Sequence, residues 1–311
     1  MIGIALGGGV WYQGATGAFA GRGWRFGTSL QRAGRGVGMV GMRLRLVVSL
    51  VGAAVLAAAG SASAAPGWTG AANATVHPGV RTMTNSAQCT ANFVFRGGSK
   101  VYLGQAAHCA TTGDTSQTNG CTSPSLPLGT QVQIAGASRP GVLVYSSWLA
   151  MQAARETDAN ACAHNDFALV ELDASDLGRV NPSIPFWGGP SGLNTEGLRQ
   201  GEAVATYGSS LGGGTGVVNA KQGTAQDDTD GGWNHTIVTS TPGIPGDSGS
   251  AVLDSAGRAV GVLSTLNLSG GGSNGAGDLS RELAYLRTHS SLRNVSLVTG
   301  TEHFRGSQAL W

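Results

Sequence analysis

Charged side chains are scarce in this sequence, which has 19 basic and 17 acidic residues among 311. So few charges exclude a charge-rich coiled coil and a highly charged disordered chain. The formal net charge of +2 is also too small for a protein that binds nucleic acid by neutralising phosphates. We therefore expect no nucleic-acid partner.

Acidic residues and lysine are absent from the first 64 residues, which contain six arginines. Two of these arginines closely follow Met42, an apolar run covers residues 46–59, and Ala62-Ser63-Ala64 forms a small-x-small motif. This order is typical of a secretory signal peptide and its cleavage site. The apolar run is too short for a helix that crosses a hydrocarbon core of about 30 Å. We predict a signal peptide at residues 42–64.

This signal peptide would make residues 65–311 the mature, secreted protein. Residues 1–41 would then be an extension upstream of the signal, which we attribute to a start codon assigned too early or, alternatively, to an unusually long basic region. Without residues 1–64, the chain has 247 residues, 13 of them basic and 17 acidic, and a net charge of about −4. We expect a monomer with no stable membrane association after signal cleavage.

Cysteine is rare, and all four cysteines lie in the mature part, at Cys89, Cys109, Cys121 and Cys162. An even number of cysteines in an exported chain indicates disulfides. The residues alone permit three pairings. Zinc is the alternative, but no two of these cysteines have the short spacing of a zinc hairpin, so we expect no metal.

Short apolar or alternating segments, separated by clusters of Gly, Pro, Asn, Asp and Ser, dominate the mature part and predict β-strands. The candidate strands are 92–95, 101–105, 131–134, 142–145, 167–172, 203–207, 236–239, 251–253, 259–264 and 295–298. Many short strands of this kind favour an all-β sandwich or barrel.

One segment near the C-terminus has the spacing of a helix instead. Leu279, Leu283 and Leu286 would share one face, and Asp278 would cap its first turn. We predict a short helix at residues 278–288.

A segment rich in Pro and Gly, residues 173–201, favours a crossing between two units of similar size. We therefore expect an N-terminal β-barrel at residues 65–185 and a C-terminal β-barrel at residues 186–311, with the short helix in the second.

Three motifs bring together the residue types of a serine hydrolase. His108 follows a candidate strand in Gln-Ala-Ala-His-Cys, Asp166 opens an apolar strand in Asn-Asp-Phe-Ala-Leu-Val, and Ser248 lies in Gly-Asp-Ser-Gly-Ser-Ala-Val. A serine hydroxyl needs a base within hydrogen-bond reach, and histidine has a suitable pKa. A buried carboxylate orients that histidine, and turn glycines expose N–H donors for an oxyanion.

Each motif has a structural alternative when it is taken alone, because Gly, Asp and Ser also favour turns. His164 is a second candidate base, since it lies two residues from Asp166, but no cysteine anchors it. Asp158, Asp173 and Asp176 are alternative acids, but none opens an apolar strand in the same way. The chain order His, Asp, Ser favours the three motifs acting together.

These motifs resemble the three signatures of the trypsin/chymotrypsin family of serine endopeptidases, especially its secreted bacterial members. The resemblance covers about residues 85–270 and implies two antiparallel Greek-key β-barrels with the site between them. It also implies that His108 is the base, Asp166 the orienting acid and Ser248 the nucleophile. The N–H groups of Gly246 and Ser248 would form the oxyanion hole.

The resemblance extends to the cysteines and the substrate pocket. It implies the disulfides Cys89–Cys109 and Cys121–Cys162. It also places Ser264 near the pocket entrance. Pro242 stands where trypsin-like members carry the acid that selects Arg or Lys, so we expect a preference for uncharged side chains.

The chain departs from animal members of the family, which are activated when a new Ile-Val-Gly-Gly-type N-terminus pairs with the acid before the nucleophile. No such segment lies between Ala65 and Cys89. We therefore predict no activation cleavage of that type, with Asp247 held by other partners and structural in its role.

An acidic run at residues 227–232 suggests calcium, but an EF-hand would need Glu where Thr239 stands, so a solvated turn is favoured. We predict a secreted serine endopeptidase that acts on proteins or peptides and needs no cofactor. The alternatives are a catalytically silent binding module of the same fold and a serine esterase.

Overall fold

The computed structural model describes residues 67–114, 117, 119–210 and 219–306, apart from the side chains of residues 227–229 and 270. The predicted signal peptide and upstream extension lie outside the described residues. In the part of the chain that is described, no helix has the length and apolar character needed to cross a membrane.

The first sheet is antiparallel and begins with seven strands of the N-terminal half. The strands are β1 (Arg81–Thr84), β2 (Ala87–Thr90), β3 (Val94–Gly97), β4 (Lys100–Gln105), β5 (Gln131–Ile134), β6 (Gly141–Ser146) and β7 (Ala168–Glu171). Two-residue hairpins link β1 to β2 and β3 to β4, and Asn85, in the first of these turns, has a φ of 57°. Asparagine suits this left-handed conformation.

The second sheet closes into a six-stranded barrel. Its strands are β8 (Ala203–Tyr207), β9 (Ala220–Thr229), β10 (Asn234–Thr239), β11 (Ala251–Leu253), β12 (Ala259–Asn267) and β13 (Ser273–Asp278). They follow the order β10-β13-β12-β11-β8-β9 around the barrel. The buried residues include Val204, Ile237, Val252 and Val260, one from each of four strands.

Within the described residues, three α-helices accompany the sheets: α1 (Ser147–Ala154), α2 (Ala159–His164) and α3 (Leu279–His289). The Asp278 carboxylate caps α3 by accepting a hydrogen bond from the Arg281 N–H at 2.8 Å. Leu279, Leu283 and Leu286 are fully buried, as the predicted apolar face requires. The predicted helix near the C-terminus is therefore confirmed.

The chain returns to the first sheet after α3, where a final short strand, β14 (Ser296–Leu297), pairs with β3. The first sheet thus has eight strands in the order β14-β3-β4-β7-β6-β5-β1-β2. The predicted all-β class is confirmed, since strands from two sheets dominate the described residues.

Among the residues that the structure describes, one apolar cluster contains side chains of both sheets. It contains Phe93, Phe95 and Phe167 from the first sheet and its flanks, Leu253 from the barrel, and the leucines of α3. Phe95 and Phe167 make an edge-to-face contact with ring centroids 5.3 Å apart. The turn that follows β4 and the residues that precede β7 lie beside this shared core, and each contributes one residue to the site described below.

Candidate active site

His108 lies on a 3₁₀ turn, Ala107–Ala110, directly after β4. The neighbouring Cys109 is joined to Cys89 by a disulfide, and a second disulfide joins Cys121 to Cys162. Cys89 lies on β2, so the bond ties the histidine turn to a strand at the other end of the sheet. His108 is 4% exposed, and its ring therefore has little freedom to move.

Asp166 is fully buried just before β7 and faces His108. The His108 Nδ1 atom is 2.6 Å from Asp166 Oδ2, and the His108 main-chain N–H donates to Oδ1 at 2.8 Å. The Ser264 hydroxyl donates to Oδ2 at 2.5 Å. The carboxylate thus holds both the ring and the backbone of His108.

The buried pair shifts the pKa values of both partners. Burial alone would raise the pKa of Asp166, but the His108 charge and the hydrogen bonds from His108 and Ser264 lower it below its usual value. Burial would lower the pKa of His108, but the Asp166 charge and hydrogen bond raise it. Asp166 is therefore ionised at neutral pH and favours the protonated imidazole.

Ser248 lies in a tight turn that is bonded to both sheets. Its carbonyl accepts from the Thr90 N–H at 2.8 Å, and the Thr90 hydroxyl donates to the Gly246 carbonyl at 2.7 Å. Gly249 has a φ of 88°, and a Cβ there would lie 2.5 Å from the Thr90 carbonyl oxygen. Only glycine allows this close approach of the turn to the end of β2.

Two main-chain donors of this turn are free. Among the described residues, neither the Gly246 N–H nor the Ser248 N–H has a hydrogen-bond acceptor. Gly246 has a φ of 98°, which suits glycine. Free N–H groups in one turn can stabilise a developing negative charge by donating hydrogen bonds to it.

Asp247 is buried between these two residues and forms an ion pair with Lys221 of β9. The Lys221 Nζ atom is 2.5 Å from Asp247 Oδ2, and both side chains are 2% exposed. The same oxygen accepts from the Ile244 N–H at 3.1 Å. A lysine on the barrel wall is thus the partner of Asp247, for which no partner was assigned from the sequence.

His108 and Ser248 open onto one cleft, with a volume of about 460 Å³. Its other lining residues include Gly246, Ser264, Leu263, Leu266, Ile244 and Asn274. The Asn274 amide bridges two walls, since it accepts from the Gly243 N–H at 2.7 Å and donates to the Thr265 carbonyl at 2.9 Å. None of the described lining residues is Asp, Glu, Lys or Arg, and Pro242 is not one of the lining residues.

Residues 93–262, more than half of the chain, match the protein family described as trypsin-like peptidase domain. The chain belongs to this family. No curated protein matches the sequence.

Several solved structures resemble this trypsin-like peptidase. Thermobifida fusca protease A is 19% identical, over 73% of this chain and 100% of that one, with a TM-score of 0.47. Cellulomonas bogoriensis chymotrypsin is 18% identical, over 72% of this chain and 98% of that one, with a TM-score of 0.45. Nocardiopsis protease is 19% identical, over 71% of this chain and 98% of that one, with a TM-score of 0.44.

The competing candidates lie elsewhere in the trypsin-like peptidase. His164 ends α2, where its Nε2 atom is 3.1 Å from Asp230 Oδ2, and it does not line the cleft. Asp158 caps α2 by accepting from the Ala161 N–H at 2.8 Å. Asp173 accepts from the Ser175 N–H at 2.9 Å. These side chains shape local structure.

Asp176 is occupied in the same way, because it accepts hydrogen bonds from the Ser138 N–H and hydroxyl, each at 2.8 Å.

Of the acidic run considered for calcium, the side chains of residues 227–229 lie outside the described part. Cys89, Cys109 and His108 form the one cluster of three or more metal-ligating types among the described side chains, but its sulfurs form a disulfide.

Three residues that support the site escaped prediction: Thr90, Lys221 and Glu282. Thr90 and Lys221 lie far from their partners along the chain and belong to strands that the periodicity did not predict. Glu282 did leave a signal. It occupies the apolar face of α3, three residues after Leu279 and four before Leu286, where a carboxyl group must be buried.

Proposed function

We propose that this trypsin-like peptidase is a secreted serine endopeptidase in which His108, Asp166 and Ser248 hydrolyse peptide bonds through an acyl-enzyme. The observation that carries the proposal is the buried contact of 2.6 Å between His108 and Asp166, beside a cleft that Ser248 also lines. A histidine held by a buried carboxylate is the arrangement that a serine nucleophile needs.

The first half of the reaction forms the acyl-enzyme. Ser248 Oγ attacks the substrate carbonyl carbon while His108 Nε2 takes the hydroxyl proton. The Nδ1–H group stays bonded to Asp166, whose charge stabilises the imidazolium. The free N–H groups of Gly246 and Ser248 bind the oxyanion, and His108 then protonates the leaving amine as the C–N bond breaks.

The second half restores the enzyme. A water molecule enters in place of the amine, and His108 removes its proton as the oxygen attacks the acyl carbon. The bond to Ser248 Oγ breaks, His108 returns the proton to that oxygen, and the carboxylic acid product leaves. The same donors bind the oxyanion again, so no metal or cofactor takes part.

The residues that line the cleft favour a substrate with an uncharged side chain at the cleaved position. Leu263, Leu266 and Ile244 offer apolar contacts, and no described lining residue carries the charge that would bind Arg, Lys, Asp or Glu. An unpaired charge in such a site would lose its hydration without compensation. The two disulfides suit the oxidising conditions outside the cell.

Turnover tests the proposal. The full-length chain is expressed in a secreting host, and the product is assayed on an unfolded protein substrate and on a simple ester. We expect peptide-bond cleavage that Ser248→Ala abolishes. The matched control Ser255→Ala, which removes an exposed hydroxyl bonded to Glu202, should leave cleavage unchanged.

Two results would overturn the proposal. Cleavage of the ester but not of the protein substrate would indicate an esterase. A folded wild-type protein that cleaves neither substrate would indicate a binding module.

A further inference from the structure

A second carboxyl group lies directly behind Asp166. Glu282 of α3 is fully buried, and its Oε1 atom accepts a hydrogen bond from the Asp166 main-chain N–H at 3.1 Å. Its Oε2 atom is also buried and has no hydrogen-bond partner in the described part of the chain. The mechanism proposed above gives this side chain no role.

The charged groups around Glu282 are acidic. Asp166 faces it from the start of β7, and Asp278 faces it from the end of β13. The Tyr145 hydroxyl on β6 also lies near Glu282, and burial raises the pKa of that hydroxyl well above its usual value, so it is uncharged at neutral pH. The ring of His235 on β10 contacts Asp278 at 3.0 Å. Burial and the two acidic neighbours raise the pKa of Glu282 well above its usual value.

The main chain around Glu282 leaves it little room. A Cβ at Gly277 would lie 2.5 Å from Glu282 Oε1 and 2.7 Å from the carbonyl oxygen of His164. The ring of His164 itself contacts Asp230 at 3.1 Å. An ionised Glu282 here would be a buried anion beside Asp166 and Asp278, which is strongly unfavourable.

We propose that Glu282 is a positioning residue that remains a neutral carboxylic acid and holds the Asp166 peptide group in place for His108. The inference rests on the proposed function, because it assigns Glu282 a part in orienting that pair. Glu282 touches Asp166 and does not line the cleft, so it acts through Asp166.

Ser147 and Glu282 together hold three successive residues, 165–167, by hydrogen bonds to their main chain. The Ser147 hydroxyl donates to the Asn165 carbonyl at 2.7 Å and accepts from the Phe167 N–H at 3.0 Å. Glu282 accepts from the N–H of Asp166 between them, at 3.1 Å. The Asp166 carboxylate is therefore set in position by the backbone that carries it.

The neutral form matters for the base. A negative charge on Glu282 would add to that of Asp166 and raise the pKa of His108 further, which would leave the base protonated at neutral pH. A neutral carboxyl oxygen accepts the same hydrogen bond without this effect. A neutral Glu282 can therefore hold the Asp166 peptide group without changing the pKa of His108.

Carbon-13 NMR tests the protonation state without requiring activity. The full chain carrying Ser248→Ala is labelled at the glutamate carboxyl carbons, of which the sequence has six. We expect one resonance to remain at the chemical shift of a neutral acid from pH 5 to pH 7 and to vanish in the Glu282→Gln variant. Titration of all six near the usual pKa would overturn the inference, whatever the enzyme's activity.

Kinetics test the positioning role in the active enzyme. Glu282→Gln keeps a neutral acceptor, so we expect kcat within about twofold of wild type and the acid limb of kcat/KM within about 0.2 pH unit. Glu282→Leu leaves the Asp166 N–H unbonded, so we expect kcat to fall about 10- to 100-fold with little change in KM.

Leu286→Ala is the matched control, since Leu286 is a fully buried residue one turn further along α3. It should lower stability and leave kcat and the pH profile unchanged.

A downward shift of the acid limb by more than about half a unit in Glu282→Gln would show a charged glutamate and overturn the inference. An unchanged kcat in Glu282→Leu would overturn the positioning role. If Glu282→Leu does not fold, the smaller change Glu282→Ala takes its place, with the same expected fall in kcat.

Discussion

The ion pair between Lys221 and Asp247 makes a strong prediction, because it joins the barrel wall to the turn that carries Ser248. The two charged atoms are 2.5 Å apart, and both side chains are 2% exposed. Removal of one partner from a buried pair leaves an uncompensated charge, which destabilises a protein by about 3–5 kcal/mol. We expect Lys221→Met to lose stability by about this amount.

The same substitution should also affect the reaction. Asp247 has little room to turn away from its lost partner, since a Cβ at Gly208 would lie 2.1 Å from Asp247 Oδ1. The turn itself must shift, and with it the free N–H groups of Gly246 and Ser248. Loss of one oxyanion donor lowers the rate by about 10²–10³-fold, so we expect kcat/KM to fall at least about 100-fold.

A double-mutant cycle separates charge from packing. Stability is measured by chemical denaturation in the Ser248→Ala background, where self-cleavage is absent. The variant Lys221→Met with Asp247→Asn has no buried charge at this site, so it should recover most of the lost stability. A loss below about 1 kcal/mol in Lys221→Met, as for an exposed pair, or no recovery in the double variant, would refute the reasoning.

Two further predictions concern the site. Asp166→Asn removes the charge that raises the pKa of His108. The acid limb of kcat/KM should therefore move to lower pH, and kcat should fall by about 10⁴-fold. A pH–rate profile checks this, and a shift of the acid limb to higher pH would contradict it. Asn274→Ala removes the amide that bridges Gly243 and Thr265. It should raise KM and lower stability by about 1–3 kcal/mol, which kinetics and denaturation measure; an unchanged KM would count against a role in shaping the cleft.

The sequence predicted those elements whose residues alternate or carry a strong local signal. Segments 131–134, 203–207 and 251–253 were predicted with the bounds that the structure has. The helix α3 was predicted because its leucines and its capping Asp278 are close together in the chain. For these elements, the local side-chain pattern is enough.

Other elements lacked such a signal. The strand β13 reads Ser-Asn-Gly-Ala-Gly-Asp, with glycine where neighbours approach closely, and it is a strand because β10 and β12 pair with it on either side. The polar strand β9 is likewise held between β8 and β10. Tertiary pairing decides the structure of these segments.

The supporting contacts of the site also depend on tertiary structure. The need of Asp247 for a partner could be inferred from the sequence, but the choice of Lys221 among the 13 basic residues at positions 65–311 could not. Distances between residues on different strands follow from barrel closure, which no short motif encodes.

Labelling by a fluorophosphonate probe tests the central claim most directly, because the probe reacts only with a serine that its surroundings activate. The secreted product of the full-length chain is treated with the probe, and the modified residue is located by mass spectrometry. We predict one probe per molecule, on Ser248, and no labelling of Ser248→Ala or of wild type unfolded in denaturant. A folded wild-type protein that stays unlabelled, or carries the probe on another residue, would contradict the account.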